Sequence, residues 1–316
     1  MRAPPTCRRS SFSACYRVRR PALGGLLLTW AILAAWPVQA GCTFQKRADV
    51  PVRIRDGFPF VAATVGGIPV TLLLDTGAQG MLLTPEAANA LHLSTDPQRS
   101  TRLLGTGGIR DVPNVILRGM ALGGAALPDG SVPVAPLPGV PYTEPPLAGL
   151  LGAPLLAAYD LDLDVLHGHL ALYDASDCGA MLPPVPPPFS VLPLEVTSEG
   201  EALIPVQING RPLLALIDTG SRATILTEHA AQQLGLDGPP SANVARGVDG
   251  AATPVRHLRV RALQVGKDIL ANAPISVSPL QLGRGDMLLG LDYLGLRRLW
   301  ISYRMGRVVI GAASRP

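Results

Sequence analysis

The sequence predicts a mainly β protein in which one lobe is written twice, the two copies related by a pseudo-two-fold axis. Three observations carry this. Gly 34 and Pro 32 together make up about a fifth of the 316 residues, a composition of many short elements joined by turns. Charged residues are only 16%, below the roughly 25% of an average domain, which excludes a coiled coil or long helical rod. Self-comparison then finds a gapless repeat. A shift of 143 residues lays Gly67 on Gly210, Pro69 on Pro212, Asp75-Thr76-Gly77 on Asp218-Thr219-Gly220, Leu82 on Ile225, Thr84 on Thr227, Ala87-Ala88 on Ala230-Ala231 and Leu91 on Leu234. The match returns at Leu150-Leu151-Gly152 and Leu288-Leu289-Gly290, now 138 apart. The missing five residues belong to a proline-rich insertion at 127–146 of the first half.

The chain begins with a leader. Residues 1–41 carry six arginines, no lysine and no acid, followed by an apolar stretch of about 15 residues and the small-x-small site Val38-Gln39-Ala40. This is the layout of a secretory signal peptide, expected to span 1–40. The stretch is shorter than the ~20 residues of a spanning helix, so no membrane span is expected after processing. Cleavage after Ala40 leaves 21 basic against 23 acidic residues and a formal charge of −2. The basic pI of 9.1 therefore belongs to the leader, and no later stretch mixes Lys and Arg with aromatics, so no nucleic-acid partner is expected. A periplasmic or secreted location follows as the expectation. Two arginine pairs leave the Sec and twin-arginine routes open.

Cys7 and Cys15 fall in the leader, and Cys42 and Cys178 remain. An even pair in an exported chain suggests a disulfide. The alternative is a lipid anchor on Cys42, because Ala40-Gly41-Cys42 locally fits that signal while Gln39 does not.

The first lobe is expected at 41–180, a proline-rich linker at 181–192, and the second lobe at 193–316. Within the first lobe, Phe58–Val65 and Ile68–Leu74 read as a hairpin around Gly66-Gly67. Ala202–Ile208 and 212–217 repeat it around Asn209-Gly210, a favoured two-residue turn. A short helix follows each Asp-Thr-Gly, with Thr84 and Thr227 as N-caps and Pro85 at the first helical position. Further helices are expected at 153–158 and 292–296, and closing strands at 170–173 and 307–310. Asp160, Asp162 and Asp164 alternate on a strand and read as its solvent face.

The two triplets carry the chemistry. Leu72-Leu73-Leu74 and Ala215-Leu216-Ile217 run straight into Asp75 and Asp218, so each carboxyl is carried into an apolar place. That is costly unless the group is paired or used. Across a pseudo-two-fold axis the two can face each other. Like charges at close range cannot both ionise cheaply, so the pair shares a proton and supplies a base and an acid at one pH. A water between them could then attack a peptide carbonyl. Gly77 and Gly220 permit a tight loop, and Thr76 and Thr219 offer hydroxyls that can bond across the lobes. Ala78 and Ser221 break the symmetry. A Ser221 hydroxyl donating to Asp218 would make Asp218 the more acidic member and leave the proton on Asp75.

With these residues the chain resembles the retropepsin-like aspartic peptidases, in particular exported bacterial proteins with two such domains in one chain. The resemblance covers nearly the whole chain after the leader. It implies two retropepsin-like acid-protease lobes, a monomer that forms an intramolecular pseudo-dimer, and a glycine-rich flap on each lobe. Candidate flap residues are Gly105, Thr106, Gly107 and Gly108 in the first, and Gly247, Val248, Asp249 and Gly250 in the second. The Leu-Leu-Gly segments match strands that buttress the site loops in that family. The implied activity is an aspartic endopeptidase acting on an extended peptide through Asp75 and Asp218, without a cofactor.

Other chemistries find little support. The histidines form no His-Glu-x-x-His and there is no cysteine cluster, so no metal is expected. There is no Gly-x-Ser-x-Gly elbow, P-loop or Gly-x-Gly-x-x-Gly. A catalytically silent module that binds a peptide or envelope ligand on the same scaffold stays open as the rival reading.

Overall fold

A computed structural model describes residues 43–105, 108–176, 181–236, 238–239, 243–247 and 249–314. The leader, Cys42, Cys178, Thr106, Gly107 and Val248 lie outside the described residues.

The first half carries β1 (Thr43–Arg55), β2 (Phe58–Val65), β3 (Ile68–Leu74), β4 (Leu82–Leu83), α1 (Pro85–Ala90), β5 (Thr95–Gly105), β6 (Gly108–Leu117), β7 (Met120–Leu122), β8 (Ala125–Ala126), β9 (Gly130–Pro133), β10 (Leu147–Leu151), α2 (Ala153–Leu156), β11 (Asp160–Asp164) and β12 (His169–Ser176). The second half carries β13 (Phe189–Pro193), β14 (Glu195–Val196), β15 (Ala202–Ile208), β16 (Arg211–Ile217), β17 (Ile225–Thr227), α3 (Glu228–Gln233), β18 (Val244–Arg246), β19 (Ala252–Pro254), β20 (Arg256–Val265), β21 (Asp268–Ser278), β22 (Met287–Leu289), α4 (Leu291–Leu294), β23 (Arg298–Ser302) and β24 (Arg307–Gly311). The fold is mainly β, and the halves repeat each other around each triplet.

Local chemistry explains the repeat. Gly66-Gly67 and Asn209-Gly210 all take positive φ, the two-residue turn whose twist matches a hairpin. The Thr84 hydroxyl accepts the Ala87 N–H at 3.2 Å and the Thr227 hydroxyl accepts the Ala230 N–H at 3.1 Å, so each short helix starts on its predicted cap. In each lobe the strand leading to the aspartate lies parallel to the Leu-Leu-Gly strand, β3 with β10 and β16 with β22. The latter strand also pairs antiparallel with the short strand after the triplet, β4 or β17. The triplet loop is thus pinned on both sides by one apolar segment. Fully buried Leu72, Leu74, Leu83, Leu151, Ile217, Leu226 and Leu289 share the main core.

The lobes are joined by a sheet. Its order runs β13-β24-β23-β11-β12-β1, and β1 continues into the first lobe through β2. At its centre β11 pairs antiparallel with β23, Asp162 opposite Trp300. Here the structure differs from the sequence reading. Asp160 and Asp162 are buried rather than solvated. Asp162 accepts two bonds from Arg298, at 2.7 and 2.6 Å, and Asp160 accepts from Trp300 Nε1 at 3.1 Å and Ser302 Oγ at 2.8 Å. Alternating Asp and Leu mimic a half-exposed strand, but β11 is central, and the opposite lobe covers its polar face with matched donors. Asp164, at the end of the strand, is half-buried and bonds His167.

The residues of the expected linker pack onto this sheet. Phe189–Pro193 forms a strand on β24, and Val185 packs with Trp300, Val309, Phe44, Tyr173 and Phe189. The proline run therefore lies against the inter-lobe sheet. Among the described residues no helix is long and apolar enough to cross a membrane.

Candidate active site

Asp75 and Asp218 end β3 and β16 and are held alike. The Asp75 N–H donates to Leu151 O and the Asp218 N–H to Leu289 O, both at 3.1 Å. After each triplet the chain returns to the same buttress, Ala153 N–H to Ala78 O at 2.9 Å and Leu291 N–H to Ser221 O at 2.8 Å. The carboxyls are buried and hydrogen-bonded to each other. Backbone donors address each one: Gly77 N–H to Asp75 Oδ1 at 3.1 Å, and Gly220 and Ser221 N–H to Asp218 Oδ1 at 2.8 and 3.1 Å.

The threonines tie the loops together. The Thr76 N–H donates to Thr219 Oγ1 at 3.0 Å and the Thr219 N–H to Thr76 Oγ1 at 3.1 Å. Each hydroxyl then donates across the lobes, Thr76 to Ile217 O at 2.7 Å and Thr219 to Leu74 O at 2.8 Å. Four bonds between buried groups fix the distance between the two strand ends. The glycines set the closeness. A Cβ added to Gly77 would meet Asp218 Cγ at 2.5 Å, and one added to Gly220 would sit closer still to Asp75 Cγ. Only a bare α-carbon leaves room for the opposite carboxyl.

Comparison with known proteins gives the same two segments. The aspartyl protease family model matches residues 61–155 and 204–293, more than half of the chain. The chain belongs to the aspartyl protease family. It is 32% identical over 108 residues to DNA damage-inducible protein 1 of Yarrowia lipolytica, covering 33% of this chain and 26% of that protein. It has the same identity and coverage against protein DDI1 homolog 2 of Homo sapiens. The match thus spans about a quarter of those curated relatives. Among solved structures, basic 7S globulin from soybean aligns over 85% of this chain and 96% of its own, with a TM-score of 0.48 and 13% identity.

Within this aspartyl protease fold burial raises both carboxyls above their ordinary range. Burial lifts Asp75 to about 6, against the backbone bonds from Gly77 and Ala78. Burial, then the neighbouring Asp75 charge, pushes Asp218 well above the ordinary carboxylate range. The Ser221 hydroxyl does not reach Asp218. It donates to Ala223 O at 2.7 Å, and only the Ser221 backbone serves the carboxylate. Both carboxyls are thus held above the ordinary range, and the pair keeps a proton at a pH where exposed carboxylates have lost theirs.

The strands on either side of each predicted flap pair with one another. In the first, Gly105 pairs with Gly108 at the end of β5–β6, and the flanking Leu104 and Ile109 are exposed. Leu103 and Val112, on the other face of that hairpin, pack in a cluster with Phe58, Phe60, Leu73 and Ala78, so the flap strands and the triplet loop share one apolar patch. In the second, β18 pairs with β19, Gly250 N–H donates to Gly247 O, and Asp249 accepts the Ala251 N–H. Gly250 lies against Pro138 of the first-half insertion. His167 and His169 are taken up by Asp164 and Asp49. Among the described residues no group of three potential metal ligands gathers.

One pair of positions escaped the sequence reading. Gln79 and Arg222 stand four residues after each aspartate, and each crosses to the other lobe. The same 143-residue shift that aligns the triplets also aligns them, and lays Phe58 on Glu201.

Proposed function

We propose that the protein is an aspartic endopeptidase in which Asp75 and Asp218 form the catalytic pair. The observation that carries this reading is the buried, mutually hydrogen-bonded pair held across the lobes by reciprocal threonine bonds. An ionised Asp75 takes a proton from a water between the carboxyls as its oxygen attacks the peptide carbonyl. Protonated Asp218 gives its proton to the carbonyl oxygen, forming a neutral gem-diol. Collapse of the diol breaks the C–N bond: the proton gained by Asp75 passes to the leaving amine, and one diol hydroxyl returns its proton to Asp218 as the product carbonyl forms. No covalent intermediate forms. An extended peptide would lie across the pseudo-axis under the two hairpins, as strand-like recognition requires. Both lobes come from one chain, so a monomer suffices.

The reading includes export, with residues 1–40 removed, and a Cys42–Cys178 disulfide. Support for the disulfide comes from β1 and β12, which stay paired up to Thr43 opposite Ser176, one residue from Cys42 and two from Cys178 in sequence. Non-reducing peptide mapping would recover the linked pair, and a lipid adduct on Cys42 would refute it.

The decisive assay incubates the purified chain with a denatured protein from acid to neutral pH. Wild type should cleave, and Asp75→Asn and Asp218→Asn should each lose about 10²–10⁴-fold in kcat/KM, the range supplied by positioned acid–base groups. Cleavage that survives either substitution defeats the assignment. Peptide binding without cleavage by wild type would make this a silent binding module.

A further inference from the structure

The pseudo-symmetric site is charged differently at its two ends. On one side the exposed Gln79 side chain lies beside the Glu201 carboxyl of the other lobe. Glu201 is 9% exposed and also accepts the Thr197 hydroxyl at 3.1 Å, so it is covered and satisfied. On the other side, at the equivalent position, the Arg222 guanidinium lies 5.0 Å from the centre of the Phe58 ring and donates to Asp56 O at 3.5 Å. Its side-chain carbons press on Gly57. These contacts are an aromatic face and a carbonyl, not a carboxylate, and Arg222 remains exposed.

Phe58 places this cation. The ring packs with Leu103 and Val112 of the first flap and with Ala78 beside Asp75. Arg222 therefore stands on the rim of the cleft, where the second triplet loop meets the patch under the first flap. A guanidinium on an aromatic face keeps its outward N–H groups for a ligand. Gly220 touches the Asp75 carboxyl, and Arg222 is two residues further on. Two residues plus the side chain put the charge roughly 10 Å from the pair, about three residues along an extended peptide. The equivalent place across the axis offers a covered carboxyl beside an amide.

The geometry points to Arg222 as a specificity-determining residue that selects a peptide carboxylate about three residues to one side of the scissile bond. The carboxylate can be an acidic side chain or a chain terminus, and an acidic residue at the mirror position, beside Glu201, is disfavoured. This rests on the peptidase reading for the scissile bond, but the binding preference does not require turnover.

The test measures binding of labelled peptides to Asp75→Asn protein, and then cleavage by protein with Asp75 intact. The peptides carry one Glu or Gln at each position in turn, with the C-terminus free or amidated. Glu should bind about tenfold tighter than Gln at one position on one side only. Arg222→Gln should abolish the ratio and Arg222→Lys should keep part of it. A stronger effect of the free terminus than of internal Glu would identify the terminus as the group read. A Glu-to-Gln ratio unchanged in Arg222→Gln overturns the proposal, as does equal preference on both sides. Cleavage without an Arg222-dependent ratio refutes only this inference. An Arg222-dependent ratio without cleavage refutes only the peptidase reading.

Discussion

Thr76 and Thr219 hold each other by reciprocal bonds, each hydroxyl accepting the other's backbone N–H while donating to a carbonyl of the opposite lobe. Both side chains are fully buried. The site is therefore stabilised by the same contacts that join the lobes. Thr76→Val would leave the Thr219 N–H and Ile217 O buried without partners, at a cost of about 2–4 kcal/mol. Thr76→Ser keeps the hydroxyl and should recover most of that. Urea unfolding of the three proteins measures the difference, and cleavage should fall with the valine variant.

Gly77 and Gly220 leave no room for a methyl group, because the opposite carboxyl occupies the space. Gly77→Ala and Gly220→Ala should each push the aspartates apart. The expected result is loss of most cleavage with overpacking of about 1–3 kcal/mol in unfolding free energy. Cleavage at the wild-type rate in either variant would show that the carboxyls need not approach so closely.

The titration of the pair sets a pH window. Asp75 is lifted to about 6 and Asp218 further, so the pair loses its first proton near pH 6 and its second at higher pH. We expect kcat/KM to rise with a midpoint of about 6 and to peak near neutrality. For stability the sign is opposite. A carboxyl whose folded value is raised above its unfolded one stabilises the fold fully below the unfolded value of 3.8, and that stabilisation is lost as pH rises through the folded value. Unfolding free energy should therefore fall from about pH 4 to beyond 6. Asp218→Asn should flatten the decline. Ser221→Ala should leave the activity profile where it is, since that hydroxyl faces Ala223 O.

The seam offers a separate test. Asp162 is fully buried and its two bonds come from Arg298 of the other lobe. Arg298→Leu would strand that carboxylate at a cost of about 3–5 kcal/mol. The double variant Asp162→Leu with Arg298→Leu should regain much of the loss. Thermal or denaturant unfolding of the single and double variants measures the coupling. Equal stability of wild type and Arg298→Leu would mean the pair does not secure the seam.

Much of the fold was legible because its signals are local. The Gly66-Gly67 and Asn209-Gly210 turns, the Thr84 and Thr227 caps and the apolar runs before each aspartate each lie within a few residues. Repetition then multiplied their weight. The site was legible for the same reason, since a triplet met twice at a fixed shift identifies the residues without knowing their distance. What failed depended on what lay opposite. Asp160 and Asp162 looked solvated because alternation cannot say that a second lobe covers the polar face. Ser221 looked like a partner for Asp218, but a hydroxyl has several acceptors within reach and the loop turned it toward Ala223.

Membership of the aspartyl protease family and the choice of Asp75 and Asp218 as the proposed pair thus follow from the residues themselves, because short-range propensity and an internal repeat encode them. The tertiary structure decided how deeply the two carboxyls are buried together, how the seam is neutralised and why Arg222 stands apart from Gln79. Those properties depend on burial and on groups contributed by the opposite lobe, more than a hundred residues away along the chain, and no local pattern records them.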